Sequence, residues 1–219
     1  MIPTLFHNIA AVIFDLDGVL LDTEWLAFQA WRHWVEARGG QLDEAAYPGL
    51  TGLTVEETAI YVRNRTGMVF DMEESCAWTW QWVLDRVQQG CEPLPGAREL
   101  VSDLSARGYP LAIASNSTTG HVSNMLSGLG LLEFCPTRVG IDQVARGKPA
   151  PDVYLAAARL LETAPHRCLA IEDSRVGVQA AAAAGLRVIA VPGRLDDPRG
   201  FTGAWRVYSS LVQVLAELD

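Results

Sequence analysis

The chain has 219 residues, of which 49% are hydrophobic and 20% are charged, and its formal net charge is −9. These proportions are those of an ordinary globular protein that is long enough to bury a sizeable core. The acidic balance argues against a nucleic-acid or anionic-membrane partner, because both require a basic surface, but it permits a small phosphorylated ligand. The four cysteines form no CxxC pair, and no apolar run approaches the roughly 20 residues of a membrane span. We therefore expect a cytoplasmic protein with reduced thiols.

The first predicted element is a short buried strand at residues 9–14, which ends in two aspartates. Side chains two apart on an extended chain point the same way, so Asp15 and Asp17 can face one site. Two carboxylates this close repel each other, and a divalent cation or a proton-transfer role would relieve the repulsion. Gly18 follows directly, where the chain needs conformational freedom to turn away from the strand.

Residues 23–92 have a helical pattern and contain no convincing strand. Three helices are predicted, at residues 24–38, 54–65 and 72–89. Thr54 and Glu57 form a capping-box pattern at the start of the second helix. We interpret the tryptophans of the third helix as core between helices: Trp78, Trp80 and Trp82. The block predicts a small α-helical cap domain, inserted between the first strand and the rest of the chain.

After a proline-rich break at residues 92–96 the pattern changes to an alternation of short apolar runs and helices. Strands are predicted at 111–114, 137–139, 168–171, 187–191 and 205–208, and helices at 97–107, 118–129, 151–161 and 175–184. Such alternation indicates a parallel sheet covered by helices on both faces. We therefore predict an α/β fold: a doubly wound, Rossmann-like core of residues 1–22 and 93–219, with the cap domain at 23–92.

Polar side chains follow several of the predicted strands at the point where each strand ends. Ser115 follows the second strand, and Glu172 and Asp173 follow the strand at 168–171. Lys148, the only lysine of the chain, opens the loop before the helix at 151. In open α/β sheets ligands bind outside the carboxyl ends of the strands, so these groups should converge. Carboxylates from two strands, a lysine and a hydroxyl suit an oxyanion held together with a hard cation such as Mg²⁺.

Four motifs carry a resemblance to a known family: DLDGVLLDTE, the Ser of IASNS, the Lys of GKPAPD and the acidic pair of IEDSRVGVQAAAAAG. Together and in this order they resemble those of the haloacid dehalogenase superfamily. The similarity is to the branch with a helical cap that includes phosphoglycolate phosphatase and β-phosphoglucomutase, and it spans nearly the whole chain.

The resemblance implies two catalytic carboxylates and a magnesium site. Asp15 would attack phosphorus and form an aspartyl-phosphate. Asp17 would protonate the leaving oxygen and then activate water. The resemblance also implies that Asp15, Asp173 and the backbone carbonyl of Asp17 hold Mg²⁺, with Glu172 close by.

The resemblance further implies a phosphate-binding set. Ser115 and Lys148 would bind the phosphoryl oxygens, and Asn116 would add its backbone N–H. A carboxylate that attacks a phosphate dianion needs the negative charge neutralised, and Mg²⁺ and Lys148 would together supply this charge.

Single residues distinguish the reactions that members of this superfamily catalyse. Dehalogenases of the superfamily lack the second aspartate, so Asp17 favours phosphoryl transfer. Phosphonate hydrolysis in this superfamily needs a cap lysine, and residues 23–92 contain none. Phosphomutases of the β-phosphoglucomutase group carry a histidine where this chain has Ala27. They also carry an arginine in the cap loop, and the corresponding loop of this chain, residues 51–56, contains no arginine. Hydrolysis is therefore favoured, while a mutase stays open because Arg63 or Arg65 could substitute.

Two further classes and the substrate remain to be considered. A receiver-type signalling domain is disfavoured by the cap insertion and by Asp17, and a non-catalytic binding module by the complete set of motif carboxylates. The expected substrate is a small phosphomonoester, such as a sugar phosphate or phosphoglycolate, enclosed by the cap, and nucleoside monophosphates stay open. The cap residues expected to contribute to specificity are Thr23, Trp25, Gly52 and Arg63.

Overall fold

The computed structural model describes residues 4–193 and 197–218. The chain divides into two compact units. The first, which we call the sheet unit, combines Met1–Leu21 with Glu92–Asp219, and the second, the helical unit, is Asp22–Cys91. Within the described ranges no helix has both the length and the apolar character needed to cross a membrane.

A six-stranded parallel sheet organises the sheet unit. In chain order its strands are β1 Ala11–Phe14, β2 Leu111–Ala114, β3 Thr137–Val139, β4 Cys168–Glu172, β5 Arg187–Ala190 and β6 Arg206–Val207. The spatial order is β3-β2-β1-β4-β5-β6, and every neighbouring pair is parallel. The predicted doubly wound α/β fold is thereby confirmed.

The described ranges also contain eight α-helices. They are α1 Thr23–Glu36, α2 Val55–Thr66, α3 Met72–Gln88, α4 Ala97–Ala106, α5 Thr119–Gly128, α6 Asp152–Leu160, α7 Arg175–Ala183 and α8 Leu211–Leu215. Parallel strands need crossover connections, and helices in the sheet unit supply them. β1, β2 and β4 are buried along their whole length, which matches their apolar runs and a sheet that is covered on both faces.

The first strand is shorter than predicted. β1 begins at Ala11 and not at residue 9, because the preceding chain turns. The Ile9 N–H donates to the carbonyl of Phe6 at 3.0 Å, and Asn8 has a positive φ of 65°. An asparagine tolerates this left-handed conformation better than most residues, so the turn is local and sequence-encoded.

The helical unit contains α1, α2 and α3 around an aromatic core. The predicted capping box at the start of α2 is present, with the Thr54 side chain accepting from Glu57 N–H and the Glu57 carboxylate accepting from Thr54 N–H. Trp31 and Trp34 of α1 are buried. The expectation for α3 is wrong in one respect, because Trp80 is 47% exposed. The buried stripe of α3 has the helical spacing of four and consists of Ser75, Thr79, Val83 and Val87.

Candidate active site

The carboxyl ends of neighbouring strands bring predicted polar residues together. β1 lies between β2 and β4, and Phe14 is paired with Ile113 on one side and Ile171 on the other. Beyond these positions the next residues lie side by side at the same edge of the sheet. The Asp15 N–H continues the ladder by donating to the carbonyl of Ile171 at 2.9 Å. This edge is where α/β sheets bind ligands.

Lys148 links the carboxylates of β1 and β4. Its Nζ lies 2.8 Å from Oδ1 of Asp15 and 2.6 Å from Oε1 of Glu172. The lysine side chain is 3% exposed, so water screens neither ion pair effectively. The ammonium is therefore a fixed positive charge beside Asp15.

Glu172 accepts hydrogen bonds at both of its oxygens. Oε1 accepts from the Tyr154 hydroxyl at 2.5 Å in addition to Lys148. Oε2 accepts from the backbone N–H and the hydroxyl of Ser174, at 3.3 and 3.2 Å. A Cβ at Gly177 would collide with the Glu172 carboxylate, so α7 can approach β4 this closely only because residue 177 is glycine.

The carboxylates outnumber the single ammonium, and their pKa values show the imbalance. Burial raises the pKa of Asp15 to about 8; Lys148 acts in the opposite direction, while Glu172 and Asp17 add to the increase. Burial, Asp15 and Glu172 also raise the pKa of Asp173 well above its ordinary value. Burial alone would lower the pKa of Lys148, but Asp15 and Glu172 more than offset this, so the ammonium stays charged. When they are ionised, the carboxylates of the site therefore carry more negative charge than the Lys148 ammonium can neutralise.

The donor set fits a magnesium ion. Asp15, Glu172 and Asp173 each offer one carboxylate oxygen, and these oxygens lie within 4.8 Å of one another. Carboxylate oxygens are the ligands that Mg²⁺ prefers, and a divalent cation would remove the excess negative charge. Gly18 has a φ of 71°, and a Cβ there would collide with the Asp173 carboxylate. The turn after β1 can therefore pass close to Asp173 only with glycine at this position.

Asp17 is held by two serine hydroxyls. Its Oδ2 accepts from the hydroxyls of Ser115 and Ser117, at 3.4 and 3.3 Å. The Ser117 N–H in turn donates to Ser115 Oγ at 2.9 Å, which fixes the two hydroxyls relative to each other. Burial lowers the pKa of His121, and Asp17 opposes this effect, so the imidazole lies within electrostatic reach of Asp17.

Asn116 contacts the Lys148 loop with its side chain. Its Oδ1 accepts from the Lys148 N–H at 2.7 Å, and its Nδ2 donates to the Lys148 carbonyl at 3.3 Å. The carboxamide thus pairs with both backbone groups of Lys148. This pairing fixes the orientation of the amide, because a flipped amide would place its NH₂ group against the Lys148 N–H and its oxygen against the Lys148 carbonyl. The side-chain contact was not foreseen from the sequence, which assigned Asn116 only a backbone role.

The four predicted specificity residues lie in the helical unit, and Trp25, Gly52 and Arg63 have partners there. Thr23 is the first residue of α1. The Trp25 ring packs edge-on against Tyr47, with 5.0 Å between centroids. The Gly52 N–H donates to Oε1 of Glu24 at 2.8 Å. The last of the four, Arg63, places a guanidinium nitrogen 3.9 Å from the Met72 sulfur.

The sequence interpretation missed residues whose side chains bond to the predicted catalytic, phosphate-binding or metal-binding residues, among them Tyr154, Ser117 and Ser174. Tyr154 had a usable signal, because it is a single polar group in the otherwise apolar buried face of α6, with Val153, Ala157 and Ala158. A buried tyrosine hydroxyl usually has a hydrogen-bond partner. Ser117 had no comparable signal, since serine is common in the turn after a strand.

A known protein family matches the part of the chain that contains the four motifs. Residues 12–191 match the family model described as haloacid dehalogenase-like hydrolase. The chain belongs to this family. The matched segment begins in β1 and ends directly after β5, so it includes every side chain of the site described above.

The relatives of this family member include named phosphatases. The chain is 34% identical over 218 residues to a bifunctional riboflavin kinase/FMN phosphatase of Arabidopsis thaliana, covering 95% of this chain and 55% of that protein. The chain thus spans only about half the length of this relative. It is 32% identical over 190 residues to hexitol phosphatase A of Escherichia coli, covering 85% of each.

A solved structure has the same fold over nearly the whole chain. The crystal structure of a putative β-phosphoglucomutase from Thermotoga maritima matches with a TM-score of 0.84 and 28% identity, covering 96% of this chain and 100% of that one. The family assignment and the phosphatase relatives identify the chain as an enzyme of the haloacid dehalogenase-like hydrolases.

Proposed function

We propose that the chain is a magnesium-dependent phosphatase that hydrolyses a small phosphomonoester through an aspartyl-phosphate on Asp15. The observation that carries this proposal is the buried pairing of Asp15 with Lys148, at 2.8 Å. It supports a carboxylate nucleophile placed beside a fixed positive charge that would receive the phosphoryl oxygens.

In the first half of the reaction a carboxylate oxygen of Asp15 attacks phosphorus, and the bond from phosphorus to the leaving oxygen breaks. The Asp17 carboxyl gives its proton to that leaving oxygen. Lys148 holds the phosphoryl oxygens during the transfer, and the Ser115 hydroxyl moves its single hydrogen bond from Asp17 to one of these oxygens. The Ser117 hydroxyl still donates to Oδ2 of Asp17, which supports the role of Asp17 by keeping its carboxyl in one orientation.

In the second half a water molecule attacks the same phosphorus. Asp17, now ionised, accepts the proton of this water, and the bond between phosphorus and the Asp15 oxygen breaks. Inorganic phosphate leaves and both carboxyl groups return to their starting states. The half-buried position of Asp17 supports proton exchange with water.

Asp15 and Asp173 are the proposed magnesium ligands, together with the backbone carbonyl of Asp17, and Glu172 lies beside them. The bound ion would supply positive charge against the phosphoryl oxygens and would favour the ionised form of Asp15. The raised pKa of Asp15, about 8 without a metal, supports the need for such a charge.

Hydrolysis is favoured over phosphomutase chemistry by the charges of the helical unit. A mutase must bind a bisphosphorylated intermediate, which needs additional positive charge. Arg65 pairs with Asp43 at 3.4 Å, and Arg63 contacts the Met72 sulfur. Ala27 cannot exchange a proton where mutases of the family carry a histidine. These contacts support a substrate with one phosphate group.

The proposed substrate is a phosphorylated sugar or polyol, or another small phosphomonoester such as phosphoglycolate. Hexitol phosphatase A and a fructose-1-phosphate phosphatase, both of Escherichia coli and 32% and 30% identical to the chain, support the sugar or polyol class. The FMN phosphatase relative makes FMN a necessary member of any substrate panel.

The test is phosphate release from a panel of phosphomonoesters with Mg²⁺, with chelator and with the Asp15→Asn variant. The panel includes a hexitol phosphate, fructose 1-phosphate, FMN, phosphoglycolate and β-glucose 1-phosphate, and glucose 6-phosphate formation is followed separately. We expect release that requires Mg²⁺ and is lost in Asp15→Asn but not in Asp103→Asn, the same change on the exposed face of α4. Isomerisation of β-glucose 1-phosphate without release would contradict the proposal.

A further inference from the structure

Tyr154 is a fully buried tyrosine that contacts the proposed site through Glu172. Its side chain is 0% exposed, and its hydroxyl donates to Oε1 of Glu172 at 2.5 Å. A buried phenol is unfavourable without a partner, and a hydrogen bond to a carboxylate is among the stronger ones. The hydroxyl therefore has a defined partner, and that partner also binds Lys148.

The same oxygen of Glu172 accepts from both Tyr154 and Lys148. Lys148 Nζ lies 2.6 Å from this oxygen and 5.2 Å from the centroid of the Tyr154 ring. The tyrosine thus contacts the ion pair twice, through its hydroxyl and through its ring face, which attracts a cation.

A second donor on a carboxylate oxygen reduces the pull of that oxygen on the first. With the Tyr154 hydroxyl in place, part of the Glu172 charge is satisfied without the ammonium. Lys148 can then bond to Asp15, at 2.8 Å, and to an incoming phosphoryl group. Without the hydroxyl, Glu172 would hold the ammonium more tightly and compete with the phosphoryl group for it.

We propose that Tyr154 is a positioning residue that acts through Glu172 to set how strongly Lys148 binds the phosphoryl group. The inference rests on the proposed function, because it takes Lys148 as the phosphate-binding cation. Tyr154 would thus be a determinant of phosphate affinity that lies outside the four sequence motifs. Its hydroxyl would have a role separate from the packing of the ring in the core.

The test is the dissociation constant of inorganic phosphate, measured by titration calorimetry on the full chain with Mg²⁺ present. Tyr154→Phe keeps the ring and removes the hydroxyl. We expect phosphate binding to weaken about tenfold, as for the loss of one hydrogen bond to a charged group. The matched control is Tyr109→Phe, in the loop that precedes β2, at the opposite end of that strand from Ser115. This control should bind phosphate as the unmodified chain does.

A second background separates positioning from simple packing. In a Glu172→Gln background the carboxylate charge is absent, so Tyr154→Phe should change phosphate binding less than about twofold. Unchanged binding in the single variant, or an equal loss in both backgrounds, would overturn the inference. Binding is measured without turnover, so a chain that binds phosphate but releases none from any ester would refute the proposed function while this comparison still decides the role of Tyr154.

Discussion

Lys148 Nζ lies 2.8 Å from Oδ1 of Asp15, and the lysine side chain is 3% exposed. The proposed nucleophile is therefore paired with the only lysine of the chain. The sheet places Asp15 directly after β1, and the hydrogen bonds of Asn116 hold the backbone of the Lys148 loop. The pair thus depends on contacts between segments that are far apart in sequence.

Removal of the lysine charge should reduce catalysis strongly. Lys148→Ala is expected to lower kcat/KM by roughly a hundredfold to a thousandfold, because one electrostatic contact to the transition state is lost in a buried site. The measurement is phosphate release from the best ester of the panel, with circular dichroism to confirm the fold. Near-full turnover by a folded Lys148→Ala protein would remove Lys148 from the mechanism.

Loss of the proton donor should depend on the leaving group. Asp17→Asn is expected to slow release of an alkyl phosphate by about a hundredfold to ten-thousandfold. p-Nitrophenyl phosphate needs no proton on its leaving oxygen, so its first half-reaction should survive and only the hydrolysis of the aspartyl-phosphate should slow. Stopped-flow absorbance should then show a burst of one nitrophenolate per protein. Equal slowing of both substrates with no burst would contradict the role given to Asp17.

Magnesium binding should release protons, and the sign follows from the pKa of Asp15. This pKa is about 8 in the metal-free folded chain, compared with 3.8 for an ordinary aspartate, which is the value that we take for the unfolded chain. Between these values the folded chain keeps a proton that the unfolded chain has lost, so the stability of the metal-free protein falls as the pH rises through this window. A metal ion that binds the ionised carboxylate must displace that proton.

The expected result is an apparent Mg²⁺ affinity that increases from pH 6 to pH 9. Calorimetric titrations at pH 7 in buffers of different ionisation enthalpy should report proton release, and thermal melts should show a stabilisation by Mg²⁺ that grows from pH 6 and levels off above about pH 8. The Asp15→Asn variant serves as the control and should release fewer protons. A magnesium affinity that is independent of pH over this range would contradict the assignment of Asp15 as a ligand.

The Asn116 side chain should contribute to activity through the Lys148 loop. Asn116→Ala removes two hydrogen bonds worth roughly 0.5–1.5 kcal/mol each, so kcat/KM should fall about tenfold. The backbone N–H of residue 116 is retained, which separates the side chain from the predicted phosphate contact. Asn124→Ala, the same change at an exposed position of α5, is the matched control and should leave kcat/KM unchanged. Equal activities of the two variants would show that the side chain has no such role.

The sequence predicted the fold because its signals are local and repeated. Apolar runs alternate with helical stretches, and a residue that ends a strand in a parallel sheet lies at a known edge. This is why Asp15, Glu172 and Lys148, which are far apart in the chain, could be expected together. The resemblance then supplied the roles, which spacing alone does not give.

Contacts that depend on how two faces meet could not be predicted in the same way. The bond from Tyr154 to Glu172 requires one side of α6 to face β4, and the Asn116 carboxamide requires the Lys148 loop to pass directly beside it. The tryptophans of α3 are a similar case, since Trp80 is exposed although the helix is rich in tryptophan. A stripe at a spacing of four, not the most hydrophobic residues, decides which face is buried.

The most direct test of the central claim is to identify the phosphorylated residue during turnover. The full chain is quenched in acid while it hydrolyses its best ester, the acyl phosphate is reduced with borohydride, and the peptides are mapped by mass spectrometry. We predict conversion of Asp15 to homoserine, dependent on substrate and on Mg²⁺ and, with p-nitrophenyl phosphate as the ester, stronger in Asp17→Asn. Turnover with an unmodified Asp15, or with the modification on another residue, would contradict the account.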